Sequence, residues 1–254
     1  MEANMDAGYS STKRYLELFA GTSLLALPIL LAITFTLHFT SLSDFANFQL
    51  ARPIFSAEKL FQTLSGDDGG FRYFILPHLL GYLSLPLFLV SASAIAYASY
   101  SKRPKLTIVG LILTATGVIF LGGVFASWLS FAAIGNVNNV PAESLIISLD
   151  ALMQLQGPLL ISTVLSALTF FGMIILGLAL HQTSILPRWS SLLYIAGNLV
   201  IVIFMDLDNW MLIGALMQCI GIYPLSLRFF AGFHYKNSQQ QQTTTEMHHR
   251  MAGS

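Results

Sequence analysis

Charged residues are scarce in this chain. Asp, Glu, Lys and Arg together make up 9% of its 254 residues, whereas 55% are hydrophobic. Soluble domains carry about 25% charged residues, so this composition excludes a soluble globular protein. We expect a membrane protein with the lipid bilayer as its partner, and we do not expect it to bind nucleic acid.

Cysteine is nearly absent as well. Cys219 is the only one, which excludes an intrachain disulfide and a CxxC redox centre. The zinc-protease motif HExxH, the phosphate-binding P-loop and the GxSxG context of a serine nucleophile are also missing. Without Asn-Pro-Ala repeats, the chain does not resemble an aquaporin. The sequence therefore favours a protein that is not an enzyme.

Long apolar runs are what the chain has in abundance. A membrane-spanning helix needs about 20 mostly apolar residues, and six candidate runs occur at 15–39, 73–99, 106–134, 158–181, 189–206 and 209–232. The first run is longer than the roughly 7 to 15 apolar residues of a signal peptide, so we expect it to be retained. The prediction is an all-α polytopic membrane protein with six transmembrane helices in a single bundle.

Polar segments flank this predicted six-helix domain, which covers residues 15–232. Residues 1–14 form a polar N-terminal segment on the cytoplasmic side. Residues 233–254 are rich in Gln and Thr, a composition typical of a disordered tail. The predicted organisation is thus one transmembrane domain between two cytoplasmic ends.

Basic and acidic residues are sorted onto opposite sides of the six runs. One side holds most of the basic residues, with four acidic ones: Lys13, Arg14, Lys102, Arg103, Lys105, Arg188, Arg228, Lys236 and Arg250, with Glu2, Asp6, Glu17 and Glu246. The other side holds Arg52, Lys59 and Arg72 against Asp44, Glu58, Asp67, Asp68, Glu143, Asp150, Asp206 and Asp208. Because Lys and Arg are retained in the cytoplasm, both termini are predicted inside and the acidic face outside. We expect the plasma membrane, or the inner membrane in a bacterium.

Two outer loops carry helical patterns of their own. The first begins at Ser56 and the second at Pro141, and each has apolar residues in helical register. Those residues are Ile54, Phe55, Leu60, Phe61 and Leu64 in one loop, and Leu145, Ile146, Leu149, Leu152 and Met153 in the other. Each short amphipathic helix would lie flat on the outer leaflet, fold over the helix ends as a lid, or simply connect two distant spans.

The sharpest candidate site lies at the outer membrane boundary. His38 is near the outer end of the first run and His78 is one turn into the second, so the topology puts both imidazoles at a similar depth. Further polar side chains share this level or follow His78 by one turn: Tyr82, Asp150, Gln154, Asp206 and Asp208. We expect a ligand or proton site here, because ionisable groups near the apolar zone are costly and often functional.

Metal binding is one form that this site would take. His38, His78 and Asp206 offer imidazole nitrogens and a carboxylate, which are ligands of zinc and other first-row metals. No two of them have a diagnostic local spacing, and solvated turn carboxylates with interfacial histidines are the simpler alternative. The sequence does not decide between these interpretations.

Haem is another cofactor that the histidines admit. His38 with His78 on one side, and His181 with His234 on the other, would supply two axial pairs, the layout of a transmembrane b-type cytochrome. Against this interpretation, His181 and His234 lie at or beyond helix ends, where haem would be poorly enclosed. No cofactor is firmly implied.

Few polar side chains lie deep within the runs. Asn198 and Gln218 are the two amides, and we predict that they bridge helices by hydrogen bonding. Glycines cluster in the third and sixth runs, at Gly110, Gly117, Gly122, Gly123, Gly214 and Gly221. Since small residues permit close helix approach in membranes, these two runs are the predicted bundle centre.

The sequence thus supports three functional hypotheses. The first is an outward-facing polar pocket that binds or translocates a small solute, ion or lipid group. The second is a non-catalytic accessory or assembly subunit of a larger membrane complex, with other membrane subunits or a second copy of the chain as partner. The third is a b-type cytochrome or a metal-dependent membrane enzyme.

Overall fold

The computed structural model describes residues 2–39, 45–46, 48, 56–58, 61–62, 71–135, 141–154, 157–205 and 207–232. Within these ranges the chain is helical and contains no strand. The helices are α1 (Glu2–Leu37), α2 (Leu76–Ser99), α3 (Pro104–Gly135), α4 (Ala142–Met153), α5 (Pro158–Ser166), α6 (Leu168–His181), α7 (Arg188–Ile203) and α8 (Asp208–Phe230). One π-helical turn, Phe71–Ile75, leads into α2.

Five helical stretches in this part of the chain are long and apolar enough to cross a membrane: Ser11–Leu37, Leu76–Ser99, Pro104–Ala133, Pro158–His181 and Asp208–Phe230. They confirm the all-helical membrane class. The fifth predicted run forms α7, which has 16 residues. At about 1.5 Å rise per residue it is shorter than the roughly 30 Å hydrocarbon core of a bilayer.

The long helices close into a ring that follows chain order. Helix α1 packs against α2, α2 against α3, and α3 against both α5 and α6. Helix α6 then contacts α7, α7 contacts α8, and α8 returns to α1. An additional contact between α2 and α6 crosses the ring. Helices α1 and α8, the first and the last in the chain, are therefore neighbours.

Glycines set the closest helix contacts. A Cβ added at Gly172 of α6 would lie 2.6 Å from the carbonyl oxygen of Gly110 in α3, and one at Gly197 of α7 would lie 2.6 Å from that of Gly214 in α8. Such distances leave no room for a side chain, so these helix pairs touch backbone to backbone. Packing of this kind is expected where lipid removes the hydrophobic drive between helices.

The predicted position of the third run at the bundle centre is wrong. Only 22% of the residues in the apolar stretch of α3 are buried, against 44% of those in the apolar stretch of α8. Small residues such as Gly110 and Gly117 lie against one neighbour, α6, and many other side chains of α3, among them Ile108, Ile112 and Ile119, are exposed. A glycine-rich helix can therefore form one tight contact without being central.

The predicted N-terminal segment is helical. Helix α1 begins at Glu2, so the polar residues of the N-terminal segment continue the helix of the first apolar run. Residues 233–254, which include His234 and the predicted tail, lie outside the described residues.

Candidate ligand site at the histidine end

Two helix termini place the candidate histidines at one level. Helix α1 ends at Leu37, and His38 continues it as a turn in which its backbone N–H donates to the carbonyl of Phe35 at 3.3 Å. His78 lies in the first turn of α2, directly after Pro77. Proline is favourable there because the first helical N–H groups have no partner within the helix.

The two imidazoles are close together. The ring centroids of His38 and His78 lie 5.9 Å apart in an edge-to-face arrangement. On the other side of His38, its Nδ1 atom lies 3.0 Å from Oδ1 of Asp208. The two atoms do not meet the geometry of a hydrogen bond, so the contact is described by its distance. We call the group His38, His78 and Asp208 the histidine end of the bundle.

Asp208 is held by the helix that it begins. It is the first residue of α8, where the positive end of the helix dipole stabilises a carboxylate. The neighbouring residue Asn209 donates its Nδ2 to the carbonyl of Phe45 at 2.5 Å. Contacts of consecutive residues thus tie the start of α8 to His38 at the end of α1 and to Phe45 in the loop that follows it.

His78 has a fixed tautomer and an aromatic environment. Its Nδ1 lies 2.7 Å from the carbonyl oxygen of Phe74. A carbonyl only accepts hydrogen bonds, so Nδ1 is the protonated nitrogen and Nε2 carries the lone pair in the neutral ring. The rings of Phe74, Trp128 and Phe125 lie around the imidazole at centroid distances of 4.4, 5.9 and 6.2 Å.

A cap of loop residues packs next to this aromatic group. Leu145 and Leu149 of α4 are buried with Phe131 of α3 and Ala57, and Trp128 packs against the same cluster. Helix α4 is two-sided, since Leu149 is 0% exposed and Ile147 is 63% exposed. Its buried side therefore contacts the end of α3. Of the earlier loop pattern, only Ser56, Ala57, Glu58, Phe61 and Gln62 lie among the described residues.

Three of the remaining predicted site residues, Tyr82, Asp150 and Gln154, are described by the structure. Tyr82 is one turn after His78 but 43% exposed on the surface of the bundle. Asp150 and Gln154 lie on and just after α4, where Gln154 Nε2 donates to Asp150 Oδ2 at 2.6 Å. Asp206 lies outside the described residues. The structure thus brings together His38, His78 and Asp208 from the predicted set.

Metal and haem ligation each require a particular grouping of side chains. In the part of the chain that the structure describes, no group of three or more His, Cys, Asp or Glu side chains is arranged to hold a metal ion. The predicted metal set contains Asp206, which is not described. For haem, His181 places its Nδ1 2.8 Å from Ser191 Oγ, and its predicted partner His234 is outside the described residues.

The two buried amides form a contact between α7 and α8. Gln218 Nε2 donates to Asn198 Oδ1 at 3.1 Å, and Asn198 Nδ2 donates to the carbonyl of Tyr194 at 2.8 Å. Both side chains are almost fully buried. The pair lies beside the close contact between Gly197 and Gly214, so hydrogen bonding and backbone packing act together at this helix interface.

Sequence reasoning missed the aromatic residues of the site. Phe125 and Trp128 are three residues apart, so both lie on one side of α3, and Phe74 precedes His78 by one turn. An aromatic pair at helical spacing near the end of an apolar run was the available signal. It was indistinguishable from the aromatic belt that ordinary membrane helices carry at the interface.

These observations define the class: a multi-pass helical membrane protein. Searches against protein-family models, curated proteins and solved structures find no match. The function proposed for this chain therefore rests on the residues of the histidine end.

Proposed function

We propose that the chain crosses the membrane six times, with both termini in the cytoplasm and the histidine end outside. Its location would be the plasma membrane, or the inner membrane in a bacterium. The charge distribution supports this orientation, because Lys and Arg concentrate at the cytoplasmic ends of spans. Helix α7 would be the short span, with the turn at Phe204 and Leu207 completing the crossing to α8.

We further propose that the histidine end binds a small solute or ion, either to hold it or as the first step of its translocation. The observation that carries this proposal is the 5.9 Å approach of the His38 and His78 rings, with Asp208 3.0 Å from His38. Placing two imidazoles and a carboxylate at the apolar boundary costs free energy, and ionisable groups at such positions are usually functional.

The chemistry of the three side chains indicates the type of ligand. The Nδ1 atoms of His38 and His78 both lie beside oxygen atoms, of Asp208 and Phe74 respectively. In metal sites, a histidine whose Nδ1–H donates to a carbonyl or carboxylate binds the metal through Nε2, and His78 with Phe74 has this arrangement. The same arrangement suits a ligand that donates a hydrogen bond. We therefore propose a cation or hydrogen-bond donor as ligand, with Asp206 as an additional metal ligand if the ion is a metal.

A thermal-stability panel tests this function. The full chain, purified in mild detergent, would be heated with Zn²⁺, Co²⁺, or small ammonium compounds, since a ligand that binds the folded state raises the melting temperature. At least one of these should stabilise the wild type and fail to stabilise the His38→Ala and His78→Ala variants. His181→Ala, at the other end of the bundle, is the matched control and should respond as the wild type does.

The outcomes separate the proposal from its rival. Equal stabilisation of all four proteins, or of none, would contradict a ligand site at the histidine end. In that case the accessory-subunit hypothesis takes its place, and proteins that co-purify with the chain become the evidence to seek. An absorption spectrum of the same sample tests the cytochrome hypothesis, because bound haem gives a Soret band.

A further inference from the structure

The end of the bundle opposite the histidine end is strongly basic. Seven Lys and Arg residues lie there: Lys13, Arg14, Lys102, Arg103, Lys105, Arg188 and Arg228. Among the side chains that the structure describes at this end, Glu17 is the only acidic one, and it lies 3.7 Å from Arg14. Among the described side chains, the positive charges at this end therefore outnumber the negative ones by seven to one.

Two turns at this end are joined to each other. Lys102, in the turn between α2 and α3, donates its Nζ to the carbonyl of Thr183, in the turn between α6 and α7, at 3.0 Å. This contact occupies the ammonium group of Lys102 and holds the two turns side by side. Arg103 and Lys105, close behind Lys102, and Arg188, five residues after Thr183, are exposed. We call these three cations the basic sector.

On both helices that begin at these cations, exposed apolar side chains follow the cation along the same helix face. On α3, Lys105 shares a helix face with Ile108, Val109 and Ile112, which are all exposed. On α7, Arg188 is followed one turn later by Leu192, and Leu199 and Ile203 continue the same face, all three exposed. Exposed aromatic side chains, Tyr100 and Trp189, mark the boundary between the two regions.

We propose that the sector formed by Arg103, Lys105 and Arg188 binds the headgroup of an anionic phospholipid, whose acyl chains lie along the apolar stripes of α3 and α7. Guanidinium and ammonium groups pair with phosphate oxygens, and cations at a membrane surface each add about 1 kcal/mol to the binding of anionic lipid. Apolar stripes below the cations suit a phosphate that carries acyl chains better than a soluble phosphate.

Native mass spectrometry of the purified full chain measures this binding directly. The protein in detergent is titrated with phosphatidylglycerol, with phosphatidylcholine and with soluble glycerol phosphate. Phosphatidylglycerol should bind tightest, and glycerol phosphate should not displace it. The Arg188→Gln variant should bind phosphatidylglycerol about fivefold more weakly, and a triple R103Q/K105Q/R188Q variant roughly a hundredfold more weakly, from the per-cation value.

The matched control is Arg228→Gln, which removes an exposed arginine at the same end but on α8. It should leave phosphatidylglycerol binding nearly unchanged, and Arg188→Lys should retain most of it because the charge is kept. Equal losses in R188Q and R228Q would overturn the proposal, since they would indicate a diffuse charge effect. Equal binding of the two lipids, or displacement by glycerol phosphate, would overturn it as well. If the triple variant does not fold, the comparison of R188Q, R188K and R228Q decides.

Discussion

The Nδ1 atom of His38 lies 3.0 Å from Oδ1 of Asp208. This contact joins the residue after α1 to the first residue of α8, two helices whose other ends also meet, where Ser226 Oγ donates to the carbonyl of Gly21 at 2.6 Å. The two contacts thus join α8 to α1 near both ends of α8. His78 of α2 adds the second imidazole to one end of that pair.

Removing the charge of Asp208 should affect ligand binding more than folding. The two side chains retain 25% and 35% exposure, and a partly solvated pair of this kind contributes about 0 to 1 kcal/mol. Asp208→Asn should therefore lower the free energy of unfolding by less than about 1 kcal/mol while abolishing stabilisation by a cationic ligand. Asp150→Asn on α4 is the control that should keep the ligand response. A ligand response unchanged in D208N would exclude Asp208 from the site.

The buried amide pair should behave as a coupled unit. Gln218→Leu leaves Oδ1 of Asn198 without its donor in the interior, and a hydrogen bond between membrane helices is worth about 0.6 to 2 kcal/mol. The double variant Asn198→Leu/Gln218→Leu should lose less stability than the sum of the single variants. Unfolding of all four proteins by SDS in mixed micelles supplies this cycle. Additive losses would show that the 3.1 Å contact contributes nothing.

Close backbone packing makes a strong prediction for glycine substitutions. Gly172→Ala would place a Cβ 2.6 Å from the carbonyl oxygen of Gly110, so α3 and α6 would have to separate. Overpacking of this type costs about 1 to 3 kcal/mol. At Gly123 the nearest atom, Ser162 Oγ, is 3.7 Å from the added Cβ, and Gly123→Ala should be nearly neutral. Equal melting temperatures for the two alanine variants would refute this packing.

Arg14 should stabilise the end of α8. Its guanidinium donates to the carbonyls of Phe229 and Phe230 at 3.3 and 2.5 Å, where cations also interact favourably with the helix dipole. Arg14→Gln should lower the free energy of unfolding by about 1 to 3 kcal/mol. Lys13→Gln removes the same charge one residue earlier and should have a smaller effect. The comparison is made by thermal unfolding in detergent, and equal effects would show that charge alone matters.

The helical class was readable from the sequence because run length and composition determine it. Five of the six predicted runs form helices long enough to cross a membrane, and the basic turns and Pro77 lie at helix starts as expected. What hydropathy cannot supply is the angle at which a side chain leaves its helix. That angle determines which neighbour a residue contacts: Gly117 faces α6. The predicted central position of α3 was wrong because the number of glycines in a run does not show how many neighbours its helix has.

The candidate site shows the same limit. Depth along the predicted helices put His38, His78 and Asp208 at one level, but Tyr82 shares that neighbourhood and lies on the bundle surface. Only the ring order of the helices determines that α1, α2 and α8 are adjacent. Polar contacts across helices, such as Ser91 Oγ donating to the carbonyl of Ser23 at 3.0 Å, were equally unreadable, because serine also bonds within its own helix.

The central claim is that the imidazoles of His38 and His78 form one ligand site. Pulsed electron paramagnetic resonance of the full chain with substoichiometric Cu²⁺ tests it most directly, because Cu²⁺ binds imidazole more strongly than other divalent first-row ions do. The wild type should show coupling of the copper to two imidazole nitrogens, and His38→Ala and His78→Ala should each show one. A spectrum without histidine coupling, or one unchanged in both variants, would contradict the account.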